Sequence, residues 1–231
     1  MNLSGKICVS VAESDAGRAL AVAAGAVAQA AVVEIRLDAM DRPLIAPFVE
    51  KVDVPLIFTC RPVWEGGSFT GTEEERFALL EEAVRSGAAY VDVELRADEK
   101  LRQHLLAVAR EYQVQVIISW HDFKSTASAQ ALQSIFQEQY RSGADIGKIV
   151  TTARNFQDVL RVLALQDAAS EMGFPLCAFC MGRVGMVSRV ATLELGGFMT
   201  YAAPDDGPAT APGQLSVSAL HRAVECFDAD A

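Results

Sequence analysis

Apolar residues along this chain fall into two alternating patterns. Short β-rich runs occupy 6–11 (KICVSV), 32–37 (VVEIRL), 55–61 (PLIFTCR), 90–95 (YVDVEL), 114–121 (VQVIISWH), 145–150 (DIGKIV), 175–181 (PLCAFCM) and 196–202 (GGFMTYA). Between them lie longer stretches with apolar residues three and four apart, the helical spacing. EEERFALLEEAVRSGAA and RNFQDVLRVLALQDAASEMG are the clearest, each with a glycine near its end. Strands separated by helices pair in parallel. Eight β-then-α units follow one another without a composition break, low-complexity linker or internal repeat. The pattern predicts the α/β class: a (β/α)8 TIM barrel, with residues 1–231 as one catalytic domain. An open doubly wound sheet is the alternative.

Strand residues two apart share a face. Read this way, the polar residues pair up: Glu34 with Arg36, Thr59 with Arg61, Asp92 with Glu94, Ser119 with His121. Nearly every pair lies toward the carboxyl end of an apolar run. In a barrel those ends converge on one mouth, where active sites form. Any one pair alone reads equally well as a core ion pair or a solvated strand end. Their coincidence over five strands predicts one polar pocket, with Asp92 and Glu94 in a supporting role. The last of the five is the sixth strand along the chain, in GADIGKIVTT, where Lys148 interrupts Ile146, Ile149 and Val150. Charged side chains leave apolar cores unless something compensates them, so this lysine needs a reason.

The following loops add Glu65 in PVWEGGSFTG, then Arg183, Ser188 and Arg189 in MGRVGMVSRV. Last comes PDDGPATAPGQLS, whose Thr210 and Gln214 can donate hydrogen bonds to an oxyanion as the loop closes. His121 ends a strand, whereas His104 and His221 lie in helical patterns.

Charge narrows the partners. The formal net charge is −10, which excludes nucleic acid and anionic membranes as partners. An anionic small molecule would need locally placed arginines. The start, MNLSGKICVS, lacks the design of a signal peptide, and ALAVAAGAVAQAAVVEI is too short and weakly apolar to span a bilayer. Five cysteines without a secretory context read as reduced thiols, which places the chain in the cytoplasm. Cys177 and Cys180 form C-x-x-C, but on a strand they point to opposite faces, so they read as small buried hydrophobes rather than a redox or zinc pair. No metal-ligand spacing, P-loop or dinucleotide motif is present, and no cofactor is expected.

A lysine, a histidine and arginines at a barrel mouth suit imine chemistry on a ketone or aldehyde. The amine must first lose its proton, which desolvation and neighbouring arginines favour. A protonated imine acidifies the adjacent carbon, and His121 suits removal of that proton at neutral pH. Glu65 could set the imidazole tautomer. The same imidazole could return the proton to a departing hydroxyl, which amounts to dehydration next to a carbonyl.

The chain resembles the type I 3-dehydroquinate dehydratases of the shikimate pathway. The likeness runs in order through EIRLD, FTCRPVWEGGSF, YVDVEL, SWHDF, GADIGKI, MGRVGMVSR and APGQLS. It implies a (β/α)8 fold and syn elimination of water from 3-dehydroquinate to give 3-dehydroshikimate. It makes Lys148 the Schiff-base lysine and His121 the general acid and base, supported by Glu65. Glu34, Arg36 and Arg61 would hold substrate hydroxyls and tune charge. Arg189 would pair with the substrate carboxylate, with Thr210 and Gln214 helping from the closing loop. A homodimer is implied too. Thr210 stands where serine is common in that family, and AAPDDGPAT makes the preceding loop longer than usual. Two other readings differ testably. A class I aldolase on a small keto acid or sugar would release a carbonyl fragment, although Asp205 and Asp206 disfavour its phosphate site. A metabolite sensor with a decayed site would not need Lys148 and His121 together.

Overall fold

The structure, a computed structural model, describes residues 7–228. Eight strands alternate with helices: β1 Ile7–Val11, β2 Val32–Arg36, β3 Leu56–Thr59, β4 Tyr90–Glu94, β5 Gln115–Asp122, β6 Ile146–Thr152, β7 Leu176–Met181 and β8 Thr200–Ala202. The helices are α1 Ala16–Ala26, α2 Ala46–Lys51, α3 Glu73–Arg85, α4 Glu99–Glu111, α5 Ala129–Arg141, α6 Phe156–Leu163, α7 Leu165–Met172, α8 Gly182–Glu194 and α9 Val217–Asp228. All strand pairs are parallel, in the order β7-β6-β5-β4-β3-β2-β1-β8. The Phe198 N–H donates to the Leu176 carbonyl at 2.9 Å across the seam between β8 and β7. The result is the expected (β/α)8 barrel, nearly closed.

Both faces of such strands are covered, which explains their near-continuous apolar runs. One face packs against helices: Val9, Ile35, Phe58, Val91 and Ile118 join Leu80, Leu105 and Leu106 in the main core. The other face fills the barrel interior with Cys8, Ile57, Ile117, Ile146, Cys177 and Tyr201. Cys177 thus points inward while Cys180 packs outward with α5 to α7, as the strand reading requires.

Helix starts carry local signals. Thr72 and Glu75 form a capping box on α3, and Asn155 and Asp158 form one on α6. The long helical pattern at 154–173 is interrupted at Ala164, giving α6 and α7. The expected eighth strand at 196–202 is shorter at Thr200–Ala202. Gly196, at φ +85°, ends α8 in the left-handed conformation glycine favours, so the pair of glycines belongs to the helix end. The first expected strand began at Lys6, which lies outside the described residues.

Candidate active site

The polar interior residues sit where the strands end, and their register brings them together. Ser119 is level with Lys148 on β6 and with Glu94 on β4, and Thr59 on β3 is level with Asp92. Lys148 is 4 % exposed and its Nζ donates to Asp92 Oδ2 at 2.9 Å, with Glu34 Oε1 at 3.6 Å. The ring of Tyr201 lies beneath the amine, 3.9 Å from Nζ to its centroid. From outside the barrel, Gln139 Nε2 on α5 donates to the Lys148 carbonyl at 2.8 Å and pins the strand at this residue.

Asp92 is shared. Arg61 Nη2 donates to its Oδ1 at 2.8 Å, and Ser119 Oγ to the same atom at 2.6 Å. Burial pushes the Asp92 carboxyl up, but Arg61 and Lys148 outweigh it and hold the group below the usual range. The expected arginine is therefore near Lys148, with a carboxylate standing between the two cations. Arg61 Nη1 reaches Glu94 at 2.5 Å, and Glu94 also accepts from Arg76 of α3, fully buried behind the strands. Glu34 accepts from Ser10 and, at 2.9 Å, from Thr59. Arg36 is held by Asp38 through two bonds of 2.9 and 2.7 Å. Asp38 also accepts the backbone N–H groups of Arg61 and Ser68, which draws the loop after β3 inward.

That loop makes a single 3-10 turn, Val63–Glu65, and delivers Glu65 to His121. Glu65 Oε1 accepts the His121 backbone N–H at 2.8 Å and lies 3.1 Å from Nδ1. The network therefore assigns the Nδ1–H tautomer, leaving Nε2 as the ring nitrogen that can accept a proton. Burial, followed by Arg61 and Lys148, holds the imidazole well below its ordinary range, so it is neutral at neutral pH. Phe123 stacks on the imidazole with 6.3 Å between centroids. Gly66 makes room for it: a Cβ there would lie 2.2 Å from the Phe123 ring, and φ is +80°.

The far wall differs. Arg189 on α8 is 1 % exposed, and Nη1 donates to the Tyr201 carbonyl at 3.3 Å. Its Nε and Nη2 are buried without a hydrogen-bond partner among the described residues. Burial without a neighbouring carboxylate pulls this guanidinium down to about 10. Above it, Thr210 donates through both N–H and Oγ1 to Gln214 Oε1 at 2.7 and 3.1 Å. This occupies the amide oxygen and turns the amide nitrogen into the end available to a ligand. The Gly182 N–H donates to the Pro212 carbonyl at 3.0 Å, so the closing loop rests on the start of α8.

The nine residues to which the resemblance gives a role, Glu34, Arg36, Arg61, Glu65, His121, Lys148, Arg189, Thr210 and Gln214, line one cavity. Arg183 is exposed and outside it. Ser188 is structural, capping the β7–α8 junction between the Cys180 N–H and the Gly185 carbonyl. The sequence reading missed Tyr201, Arg76 and Arg96. Tyr201 lies inside β8, and Arg96 continues the period-two series of Asp92 and Glu94 just past β4, so both could have been found from strand periodicity. Arg76 sits in an acidic helical stretch that reads as surface.

Fold and cavity define the class: a (β/α)8 enzyme with an ionised pocket at the carboxyl ends of its strands. The model of the type I 3-dehydroquinase family matches residues 7–230. The 3-dehydroquinate dehydratase of Desulfotalea psychrophila is 49 % identical over 217 residues, 94 % of this chain and 96 % of that protein. The crystal structure of 3-dehydroquinate dehydratase from Geobacillus kaustophilus superposes with a TM-score of 0.90 at 27 % identity, covering 98 % of this chain and 92 % of that one. The type I enzyme of Clostridium difficile, solved with covalently modified comenic acid, gives 0.85 at 26 % identity, covering 98 % and 93 %. The chain belongs to the type I 3-dehydroquinase family, and it is a hydro-lyase.

Proposed function

We propose that this enzyme eliminates water in the syn sense from 3-dehydroquinate, giving 3-dehydroshikimate, through an imine on Lys148 with His121 as general acid and base. One observation carries the reading: a buried guanidinium with two nitrogens unpartnered among the described residues shares a cavity with an amine and a carboxylate-oriented imidazole. A keto acid satisfies all three. Its carboxylate takes Arg189 in the planar, two-point geometry guanidinium prefers. The covalently modified ligand of the Clostridium difficile relative supports covalent chemistry in this fold.

Lys148 Nζ, after releasing a proton, adds to the keto carbon, and loss of water leaves an iminium. His121 Nε2 takes a proton from the adjacent carbon, and the electron pair moves into the iminium to give an enamine. The enamine expels the hydroxyl one carbon further on, which leaves as water with the proton from His121. Water then hydrolyses the conjugated iminium and restores the amine. Glu34, Arg36 and Arg61 hold substrate hydroxyls, Glu65 orients His121, and Thr210 and Gln214 close the site.

Borohydride added with 3-dehydroquinate traps an adduct on Lys148, read by peptide mass. Lys148→Ala folds and loses on the order of 10⁴-fold in kcat. An adduct on another lysine, or a normal rate in that variant, sinks the mechanism. The same reading places the enzyme in the cytoplasm. It also includes a homodimer, for which Phe156 and Leu160 of α6 and the neighbouring Leu195, all more than half exposed, form an apolar face. Sedimentation of the wild type and of Leu160→Glu checks this: a dimer turned monomer supports the face, and two monomers refute the dimer.

A further inference from the structure

Arg96 follows the inward pair Asp92 and Glu94 by two residues, in the turn after β4. Its Nε and Nη2 donate to Glu65 Oε2 at 3.0 and 2.7 Å. The rings of Trp64 and Trp120 lie against the same guanidinium, 5.6 and 6.0 Å from its Cζ. The Glu65 side chain is fully buried while that of Arg96 is half exposed. Arg96 does not line the cavity. The arrangement is a relay read outward: substrate cavity, His121, Glu65, Arg96, solvent.

We propose that Arg96 is a positioning residue for the reaction, holding Glu65 as an ionised acceptor so that His121 keeps its Nδ1–H and offers Nε2 to the substrate. The proposal rests on the acid/base reading of His121. Each contact on Glu65 comes from a donor: Oε1 takes the two His121 N–H groups, and Oε2 takes Arg96. The groups facing this carboxylate are Arg61 from the end of β3, Glu94 and Arg96 from β4 and its turn, and His121 from β5. Burial pushes Glu65 up to about 7, against the pull of Arg61 and Arg96. A carboxylate poised there is ionised or not according to whether its outer partner is present. His121 itself stays neutral in this range, so the part of the acid limb that answers to Arg96 belongs to Glu65. A protonated Glu65 no longer holds the Nδ1–H, the tautomer is released, and activity falls with falling pH.

The test is the pH profile of kcat/KM, which reports groups of the unliganded enzyme. In Arg96→Gln the acid limb moves up by about one pH unit, the effect of losing one neighbouring cation. Rates on that limb fall about tenfold at a given pH. On the alkaline plateau the variant and wild type converge within about twofold, and KM there is unchanged. Arg96→Lys restores part of the shift. Trp64 and Trp120 are the two tryptophans of the chain, so their emission reports the guanidinium. Emission titrates with the acid limb in the wild type and loses that titration in Arg96→Gln. An unmoved limb, an equal loss at every pH, or the same emission titration in both proteins overturns the proposal. His121→Ala separates the two ideas. Normal rates in His121→Ala sink the acid/base reading itself. Slow His121→Ala with an unmoved Arg96→Gln limb sinks only the role of Arg96.

Discussion

The two walls of the cavity treat buried charge in opposite ways. On the β2–β6 side, Lys148 meets Asp92 and Glu34, Asp92 meets Arg61, and Glu94 is clamped between Arg61 and Arg76. On the side of β7, α8 and β8, Arg189 is equally buried but packs against Phe179, 4.9 Å from Cζ to the ring centroid, with no carboxylate paired to it among the described residues. Taking an ion out of water is expensive, and on the first wall each ion offsets the cost of its neighbours. On the second wall the cost is left standing when the protein folds. Under the proposed function an arriving carboxylate would find there a donor that needs no rearrangement, the way a preorganised site favours an anion despite a net charge of −10. The paired wall fixes the geometry of the Lys148 amine, and under the proposed function the other wall holds its interaction in reserve for the ligand.

The largest effect that would test this contrast is on stability. Arg61→Met leaves Asp92 and Glu94 buried side by side without the cation between them. We expect a loss of about 3–5 kcal/mol, the usual penalty for breaking a buried pair, read from urea unfolding. The position also lines the cavity, so activity falls too, but the decisive measurement is the unfolding midpoint. A midpoint equal to the wild type would show that the lattice is incidental to folding.

How much of this was visible in the sequence follows from the same contrast. The barrel was legible because strands covered on both faces must be apolar almost throughout, and because glycines mark the helix ends. The mouth was legible because period two selects Glu34 with Arg36 and Asp92 with Glu94 without any three-dimensional information. Who pairs with whom was not. Lys148 on β6 meets Asp92 on β4 across the bore of the barrel, and no linear spacing encodes a contact two strands away. Arg76 was hidden because three glutamates precede it, and a charged helical turn reads as a solvated face. The shortening of β8 was hidden because Gly196 and Gly197 serve the end of α8. The interplay of Thr210 with Gln214 needed the loop folded back over α8. That Arg189 Nε and Nη2 stay without a partner among the described residues was also invisible, since it is a property of what does not surround them.

Arg189→Met is the smaller and sharper test, because the two walls predict opposite signatures for removing a buried guanidinium. Methionine keeps most of the stem that packs on Phe179 and removes a charge that burial leaves without a carboxylate. Nothing on the protein is orphaned beyond one long bond to the Tyr201 carbonyl. Stability should therefore stay within about 1 kcal/mol of the wild type, or rise, in the same urea assay that exposes Arg61→Met. Turnover should tell the opposite story. The substrate carboxylate loses a charge-assisted partner worth about 1.5–3 kcal/mol, so kcat/KM falls roughly 10- to 100-fold. Borohydride should still trap Lys148 at raised substrate concentration, because the amine, His121 and Glu65 are untouched. If Arg189→Met instead unfolds as readily as Arg61→Met, this guanidinium belongs to the scaffold and the two walls are one lattice. If it keeps full kcat/KM, the carboxylate is held elsewhere and the reserved cation has another use.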